Sequence, residues 1–433
     1  MSLAENIEFL SRLPKPGDWP LYGRGLHSEP SSPLVEMRDF GSNPGNLRMF
    51  AFAPARLQQP RALVVVLHGC GQTAASYDLG AGWSTLAKHY GFVLLLPQQQ
   101  PSNNANGCFN WFNKDDIARG RGEACSIRQM IARMARDYNF DPRRVFITGL
   151  SAGGAMTSTM LAIYPEVFAA GAIIAGLPFG IATNFREALT AMRGSAPRPA
   201  SELGDLVRGA SRHRGHFPRV SVWHGSADRT VHPANAGEIV KQWLDVHHLP
   251  EAPMSGTVVD GHPRQVWWNA DGDTIVESFR IADMAHGTPL GRADDDQRYG
   301  KKGAFLIEAG ISSSYHIAKF FGLTHWIRDT RPAIPQTPST RLIPAVSLMA
   351  PVAMPSRATA ERPQVVAAPE PAPPAQAAPE RARVQPAPVP LREVTAPKRK
   401  VAPKKPERRR RMLDEVGGTI VRALINAGLM QKR

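Results

Sequence analysis

The sequence has few cysteines and no long apolar run. Only three cysteines occur among 433 residues, too few for a disulfide scaffold or a four-cysteine zinc site. No run approaches the roughly 18 apolar residues of a membrane-spanning helix. The N-terminal stretch MSLAENIEFLSRLPKPGDWP lacks the apolar segment and the small-residue cleavage site of a secretory signal. The sequence therefore predicts neither a membrane helix nor export by the usual route, which favours a cytoplasmic location.

Aromatic residues are missing from the C-terminal part of the chain. The last one is Trp326, and a segment without Phe, Tyr or Trp cannot easily bury enough surface to fold. Residues 351–400 contain 12 prolines and no glycine, as in a semi-rigid polyproline-biased linker. We therefore predict four segments: an N-terminal extension (1–44), a folded domain (45–330), a disordered Pro/Ala-rich basic linker (331–411) and a short amphipathic helix (412–433).

The formal net charge of +15 belongs mostly to this tail. Residues 331–433 carry 19 Lys and Arg against 7 Asp and Glu, which leaves a surplus of only 3 for residues 1–330. The run KRKVAPKKPERRRR at 398–411 is most simply a solvated segment. Its alternative role is contact with an anionic surface or with nucleic acid.

Short apolar runs alternate with segments of helical periodicity through residues 1–330. The runs 63–67 and 92–96 are continuously apolar, which is typical of strands buried on both faces of a parallel sheet. We predict further strands at 144–148, 170–174, 220–224 and 274–281, and helices at 83–89, around 127–134 and at 234–247. This alternation predicts an α/β fold with a mostly parallel, doubly wound sheet.

The stretch VFITGLSAGGAMTSTM at 145–160 places a serine between two glycines where a predicted strand changes to a helix. In such a G-x-S-x-G turn the serine occupies a strained bend that exposes its hydroxyl, and Gly149 and Gly153 leave room where a Cβ would clash. The amide of Ala152, at the start of the helix, can stabilise a developing oxyanion. We therefore predict Ser151 as a nucleophile.

A serine nucleophile needs a histidine base and a carboxylate that orients it, in the chain order Ser, Asp, His for this kind of sheet. Asp228 follows the predicted strand 220–224, and His286 lies in a glycine-bounded loop after the last strand. Both fall at the carboxyl edge of the sheet. Asp283 is a weaker candidate for the acid, and His224 is interpreted as a structural residue that holds the loop of Asp228.

The second oxyanion donor is expected from a loop after an early strand, here residues 68–72. We predict the amide of Cys70 as this donor, with Gly69 in support. An ordinary turn would explain the glycines of this loop but not its His-Gly pair. Trp111 and Phe112 are candidates for lining the acyl site, and core packing explains them equally well. The chemistry requires no metal and no cofactor.

Several short motifs in this region have a recognisable order and spacing. They are HGCGQ (68–72), GCFNWF (107–112), GE..SIRQM (122–130), GLSAGG (149–154), HGSADRTVHPANA (224–236) and a histidine after the last strand. Together they resemble the poly(3-hydroxybutyrate) depolymerase family of esterases, which is close to the feruloyl and acetylxylan esterases of the α/β-hydrolase fold. The resemblance covers roughly residues 45–325.

The resemblance implies a serine carboxylic-ester hydrolase that acts through an acyl-enzyme on hydroxyalkanoate or short-chain esters, polymeric or small. It implies Ser151, Asp228 and His286 as the triad, and an oxyanion hole from Cys70 and Ala152. It also brings Cys70 and Cys108 together, as a disulfide or as two reduced thiols. The missing signal peptide favours the thiols, although many members of the family are secreted.

Two other functions remain open on the sequence alone. One is a feruloyl or acetylxylan type of esterase, which needs the same catalytic groups. The other is a non-catalytic binding protein tethered by its basic tail, in which the triad is accidental. A serine-reactive fluorophosphonate would label Ser151 in an esterase but not in such a binding protein.

Overall fold

The computed structural model describes residues 32–194 and 196–324, so the linker and helix predicted for 331–411 and 412–433 lie outside the described residues. The strands are β1 (Val35–Met37), β2 (Arg48–Phe52), β3 (Leu63–Leu67), β4 (Val93–Gln98), β5 (Val145–Leu150), β6 (Ala170–Ile174), β7 (Arg219–Gly225), β8 (Ser255–Val259), β9 (His262–Trp268), β10 (Thr274–Ile281), β11 (Thr288–Leu290) and β12 (Leu306–Glu308).

The described helices are α1 (Ala74–Ala81), α2 (Trp83–Tyr90), α3 (Gly122–Tyr138), α4 (Ala152–Ile163), α5 (Phe185–Met192), α6 (Ala200–Gly209), α7 (Ala234–Val246) and α8 (Ser313–Phe320). The predicted helices 83–89 and 234–247 correspond to α2 and α7. The longest of these helices, α3, has 17 residues. Within the described ranges, no helix combines the length and the apolar character needed to cross a bilayer.

A ten-stranded sheet in the order β1-β2-β4-β3-β5-β6-β7-β10-β9-β8 forms the centre of the fold. The strands from β4 to β10 in this order are parallel to one another. Antiparallel pairs lie at the two margins, where β1 and β2 extend one side and β9 and β8 extend the other. The prediction of an α/β fold with a mostly parallel sheet is confirmed.

Helices cover both faces of the central strands, which explains the continuous apolar runs. In β3, the side chains of Leu63, Val65 and Leu67 pack on the face covered by α3, α4 and α7. The side chains of Val64 and Val66 pack on the opposite face with α1, α2 and α8. No position of β3 faces water, so every residue of the strand is apolar.

The folded region begins before the boundary predicted at residue 45. Strand β1 pairs Val35, Glu36 and Met37 with residues of β2, and Phe40 is buried in the core. No strand is predicted here because β1 is only three residues long and mostly exposed. The predicted extension 1–44 therefore contributes an edge strand to the sheet.

The topology places three loops at one edge of the sheet. Strands β5, β7 and β10 run parallel, so their carboxyl ends lie on the same side. Ser151 follows β5 directly, Asp228 lies in the loop after β7, and His286 lies in the loop after β10. This edge is where open α/β sheets bind their ligands.

Candidate active site

The turn between β5 and α4 holds Ser151 in a conformation that L-residues rarely adopt, with φ of 57° and ψ of −118°. Close backbone packing explains the two flanking glycines. A Cβ on Gly149 would lie 2.4 Å from the carbonyl oxygen of Gly153. A Cβ on Gly153 would lie 2.5 Å from the carbonyl oxygens of Leu67 and His68. The start of α4 can therefore approach β3 this closely only with glycine at these positions.

We expect Gly153→Ala to lower the free energy of unfolding by roughly 3 kcal/mol or more, because the new Cβ meets backbone atoms that cannot rotate away. Gly237→Ala is the matched control, since Gly237 lies inside α7 and a Cβ there meets nothing within 4 Å. This control should gain about 0.5–1 kcal/mol from helix propensity. Urea unfolding measures both changes, and equal effects of the two substitutions would contradict the packing argument.

The imidazole of His286 lies between the serine and the acid. Its Nε2 is 2.9 Å from Oγ of Ser151, and its Nδ1 is 2.7 Å from Oδ2 of Asp228. The other oxygen of Asp228 accepts hydrogen bonds from the amides of Thr230 (2.8 Å) and Val231 (2.9 Å). A carboxylate can only accept, so Nδ1 of His286 carries the proton and Nε2 presents its lone pair to the serine hydroxyl.

A second histidine, His224, also touches the acid. Burial works to raise the pKa of Asp228, but hydrogen bonds from His224 and His286 outweigh it and hold this pKa below its usual range. Nε2 of His224 is 2.9 Å from the carbonyl oxygen of Val231 and 3.2 Å from Oδ2 of Asp228, which is the loop-holding role predicted for it. The weaker candidate Asp283 is exposed and is not the carboxylate that contacts His286.

Two amides at the site, those of Cys70 and Ala152, donate to no described residue and can bind an oxyanion. In the loop after β3, the N–H of Gly69 donates to Oε1 of Gln72 at 2.9 Å, and the N–H of Gly71 donates to the carbonyl of Asn106 at 2.8 Å. The N–H of Cys70 has no acceptor within residues 32–194 and 196–324. Ala152 is the first residue of α4, where amides have no intrahelical acceptor. The amide of Gly69 is bound to Gln72, and the supporting role predicted for Gly69 stays a prediction.

His68 fixes the loop after β3 that carries Cys70, a role that sequence reasoning did not assign. Its Nδ1 donates to the carbonyl of Gly69 at 2.8 Å, and its Nε2 accepts from the amide of Gln99 at 3.1 Å. Burial lowers the pKa of His68 to about 4, so the ring stays neutral and can make both bonds at once. The His-Gly pair in the sequence was the signal for this role.

Cys70 and Cys108 form a disulfide, so the preference for two reduced thiols was wrong. The loop after β3 and the loop that carries Cys108 lie side by side, joined by the hydrogen bond from Gly71 to Asn106. This contact brings the two cysteine Cα atoms to 4.2 Å.

Trp111 and Phe112 lie beside the serine turn. Trp111 is buried in an apolar cluster with Ala152, Ala155, Leu177 and Val231. Phe112 is half-buried and packs against this cluster, as do the two disulfide-bonded cysteines. The two rings therefore pack in a small core beside the serine turn, and their role in lining the acyl site stays a prediction.

A buried carboxyl, Glu123, anchors the loop of these aromatic residues. It accepts hydrogen bonds from the amide of Asn110 (2.9 Å), the side chain of Asn110 (2.8 Å) and the side chain of Gln99. Gln99 in turn donates to the carbonyl of Cys108 at 3.0 Å. Burial raises the pKa of Glu123 to about 8, and the nearby charge of Asp116 adds to this effect. The sequence resemblance marked this residue only as part of a motif.

Comparison with known proteins places the chain in a family. Residues 49–263 match the family described as Esterase PHB depolymerase. A poly(3-hydroxyalkanoate) depolymerase C from Paucimonas lemoignei is 44% identical over 291 residues, which are 67% of this chain and 70% of that protein. The chain belongs to the PHB depolymerase family of esterases. The predicted family and the predicted esterase activity are thereby confirmed.

Other relatives of the chain are named as acetylxylan and feruloyl esterases. An acetylxylan esterase from Coprinopsis cinerea is 34% identical, over 60% of this chain and 70% of that protein. A feruloyl esterase B from Neurospora crassa is 37% identical, over 59% of this chain and 88% of that protein. Among solved structures, an acetyl xylan esterase from Aspergillus awamori has a TM-score of 0.57 and 24% identity, and covers 67% of this chain and 99% of that one. At 24% identity, this structural similarity shows that the two proteins share a fold.

Proposed function

We propose that Ser151, His286 and Asp228 form the catalytic triad of this serine esterase. The observation that carries the proposal is the position of His286, which contacts the serine hydroxyl with one ring nitrogen and the buried carboxylate with the other. His286 takes the proton of Ser151 as its oxygen attacks the ester carbonyl. Asp228 fixes the tautomer of the ring and stabilises the imidazolium that forms.

The amides of Cys70 and Ala152 hold the oxyanion of the tetrahedral intermediate, and each contributes on the order of 3 kcal/mol to the transition state. His286 then gives its proton to the departing alcohol, which leaves the acyl group on the oxygen of Ser151. Water, deprotonated by His286, attacks this acyl-enzyme and releases the carboxylic acid. No residue of the chain is consumed in the cycle.

We infer that the substrate is an oligomer or polymer of a 3-hydroxyalkanoic acid. Two observations support this choice. The relative named as a poly(3-hydroxyalkanoate) depolymerase shares 44% identity, against 34% and 37% for the acetylxylan and feruloyl esterases. The wall beside Ser151, formed by Trp111, Phe112 and their neighbours, is apolar and suits an aliphatic polyester without free hydroxyl groups along its chain.

A substrate panel on the purified full chain tests this proposal. It compares 3-hydroxybutyrate oligomers, p-nitrophenyl esters of graded length, methyl ferulate and acetylated xylo-oligosaccharides. We expect the highest kcat/KM for the hydroxybutyrate oligomers. A higher value for methyl ferulate or the acetylated sugars would establish the alternative type of esterase. The absence of both hydrolysis and fluorophosphonate labelling would establish a binding protein instead.

We also propose that the basic run at 398–411 binds the protein to an anionic surface or polymer, since the surplus of positive charge is concentrated beyond residue 330. Binding to anionic vesicles and to duplex DNA should weaken steeply as salt increases, and should be lost on truncation after residue 330. Hydrolysis of a small ester should survive the same truncation. Binding that persists in the truncated protein would overturn this assignment.

A further inference from the structure

Three aromatic rings form a line that runs from the serine turn to the protein surface. The ring centroids of Trp111 and Phe112 are 5.4 Å apart, and those of Phe112 and Phe185 are 5.9 Å apart. Both pairs meet edge to face. Exposure increases along this aromatic line (Trp111, Phe112, Phe185), from 7% at Trp111 through the half-buried Phe112 to 54% at Phe185.

The inner end of the aromatic line, Trp111, lies beside the serine turn. Trp111 shares its buried cluster with Ala152, the residue that follows the nucleophile. The disulfide between Cys70 and Cys108 packs against the same cluster. A substrate whose carbonyl oxygen lies between the amides of Cys70 and Ala152 is therefore already beside the first ring.

The outer end is held in place by the start of a helix. Phe185 is the first residue of α5, and the side chain of Asn184 caps this helix by accepting from the amide of Glu187 at 3.0 Å. The fold thus fixes the backbone of Phe185 while more than half of its ring remains in water. Core packing does not explain such a ring, because packing stabilises a phenylalanine by removing it from water. An apolar ligand laid over Phe112 and Phe185 would supply the missing burial.

We propose that the aromatic line is a binding subsite for the polyester chain that extends away from the scissile bond. The inference rests on the proposed function and identifies how the site would prefer oligomers to single esters. A 3-hydroxyalkanoate chain is aliphatic along its length and offers only ester oxygens, so it can lie on aromatic rings without leaving donors unsatisfied. A monomeric ester occupies the inner ring alone, whereas a trimer or tetramer extends to Phe185.

The test uses the full chain and a series of methyl esters of 3-hydroxybutyrate, from monomer to tetramer. In the wild type, KM should fall as the oligomer lengthens. In Phe185→Ser, KM for the trimer and tetramer should rise about fivefold to tenfold, because these esters no longer bury the Phe185 ring and lose part of the transfer free energy of a phenylalanine side chain. KM for the monomer should stay unchanged, since the monomer does not reach Phe185. Phe185→Trp should restore the dependence of KM on length, since the larger ring covers the same surface.

Val258→Ser is the matched control, because it replaces an exposed apolar residue (71%) on the edge strand β8 and should leave the whole KM series unchanged. If the wild type hydrolyses the series but Phe185→Ser has the same KM at every length, the aromatic line is not a subsite and the proposed function stands. If the wild type hydrolyses p-nitrophenyl butyrate but none of the hydroxybutyrate esters, the proposed substrate fails together with the subsite.

Discussion

Replacing Ser151 by alanine is expected to lower kcat for ester hydrolysis by about four to six orders of magnitude. The substitution removes the nucleophilic oxygen, and the remaining oxyanion donors can only assist direct attack by water. The free energy of unfolding should change little, since alanine has the same Cβ as serine and the Oγ contacts only His286 among the hydrogen bonds of the described residues. Turnover of p-nitrophenyl butyrate and thermal unfolding measure the two effects.

Ser226→Ala is the matched control for this experiment. Ser226 lies at the same edge of the sheet, in the loop after β7, where its hydroxyl accepts a hydrogen bond from the amide of Asp283 at 2.9 Å. Its removal should keep kcat within about twofold of the wild type, because it has no part in the charge changes of the reaction. A Ser151→Ala protein that retained near-normal turnover would refute the proposed nucleophile.

Replacing Asp228 by asparagine is expected to lower kcat by roughly four orders of magnitude. Oδ1 of Asp228 accepts from the amides of Thr230 and Val231, so an asparagine would place its carbonyl oxygen there. Its amide nitrogen would then face Nδ1 of His286 and donate to it. The proton of His286 would move to Nε2, and that nitrogen could no longer accept the proton of Ser151.

Asp283→Asn is the control, since Asp283 is exposed and precedes His286 in the same loop but does not contact it. The kcat of the Asp283→Asn protein should stay close to that of the wild type. The unfolding free energy gives a second readout. The pKa of Asp228 is lower in the folded protein than in the unfolded chain. Ionised Asp228 therefore stabilises the folded wild type at pH values above the usual aspartate pKa, and this stabilisation is lost as the pH falls from the usual aspartate pKa toward the lower folded-state pKa. The stability difference between wild type and Asp228→Asn should shrink in acid, and a constant difference would contradict the assignment.

Local signals in the sequence were sufficient for the parts of the site that depend on one strand and its turn. Strands β3 and β6 were predicted with their observed bounds, because both-sided burial leaves no polar residue within such runs. The turn at Ser151 was predicted because its glycines are required there, since a Cβ on Gly149 or Gly153 would lie 2.4–2.5 Å from backbone oxygens. In these cases the local residues carry the constraint themselves.

Contacts between distant segments could not be predicted in the same way. The disulfide depends on two loops that meet through Gly71 and Asn106. The family resemblance brought Cys70 and Cys108 together, but neither loop indicates whether the two thiols are oxidised. The sequence also does not show that the side chain of Gln72 accepts a hydrogen bond from the amide of Gly69, the residue predicted to support the oxyanion donor. The antiparallel pair β8 and β9 was also missed, since short and half-exposed strands give weak periodicity.

The contact of Gly153 with the carbonyls of Leu67 and His68 couples two halves of the proposed catalytic machinery. One half is the helix that follows the proposed nucleophile, and the other is the segment that carries the Cys70 amide. Because main chain touches main chain there, neither half can shift without displacing its neighbour. In the proposed mechanism, the amide dipoles that bind the oxyanion are therefore already oriented in the folded protein. The reaction avoids the cost of reorienting solvent dipoles that it would have in water.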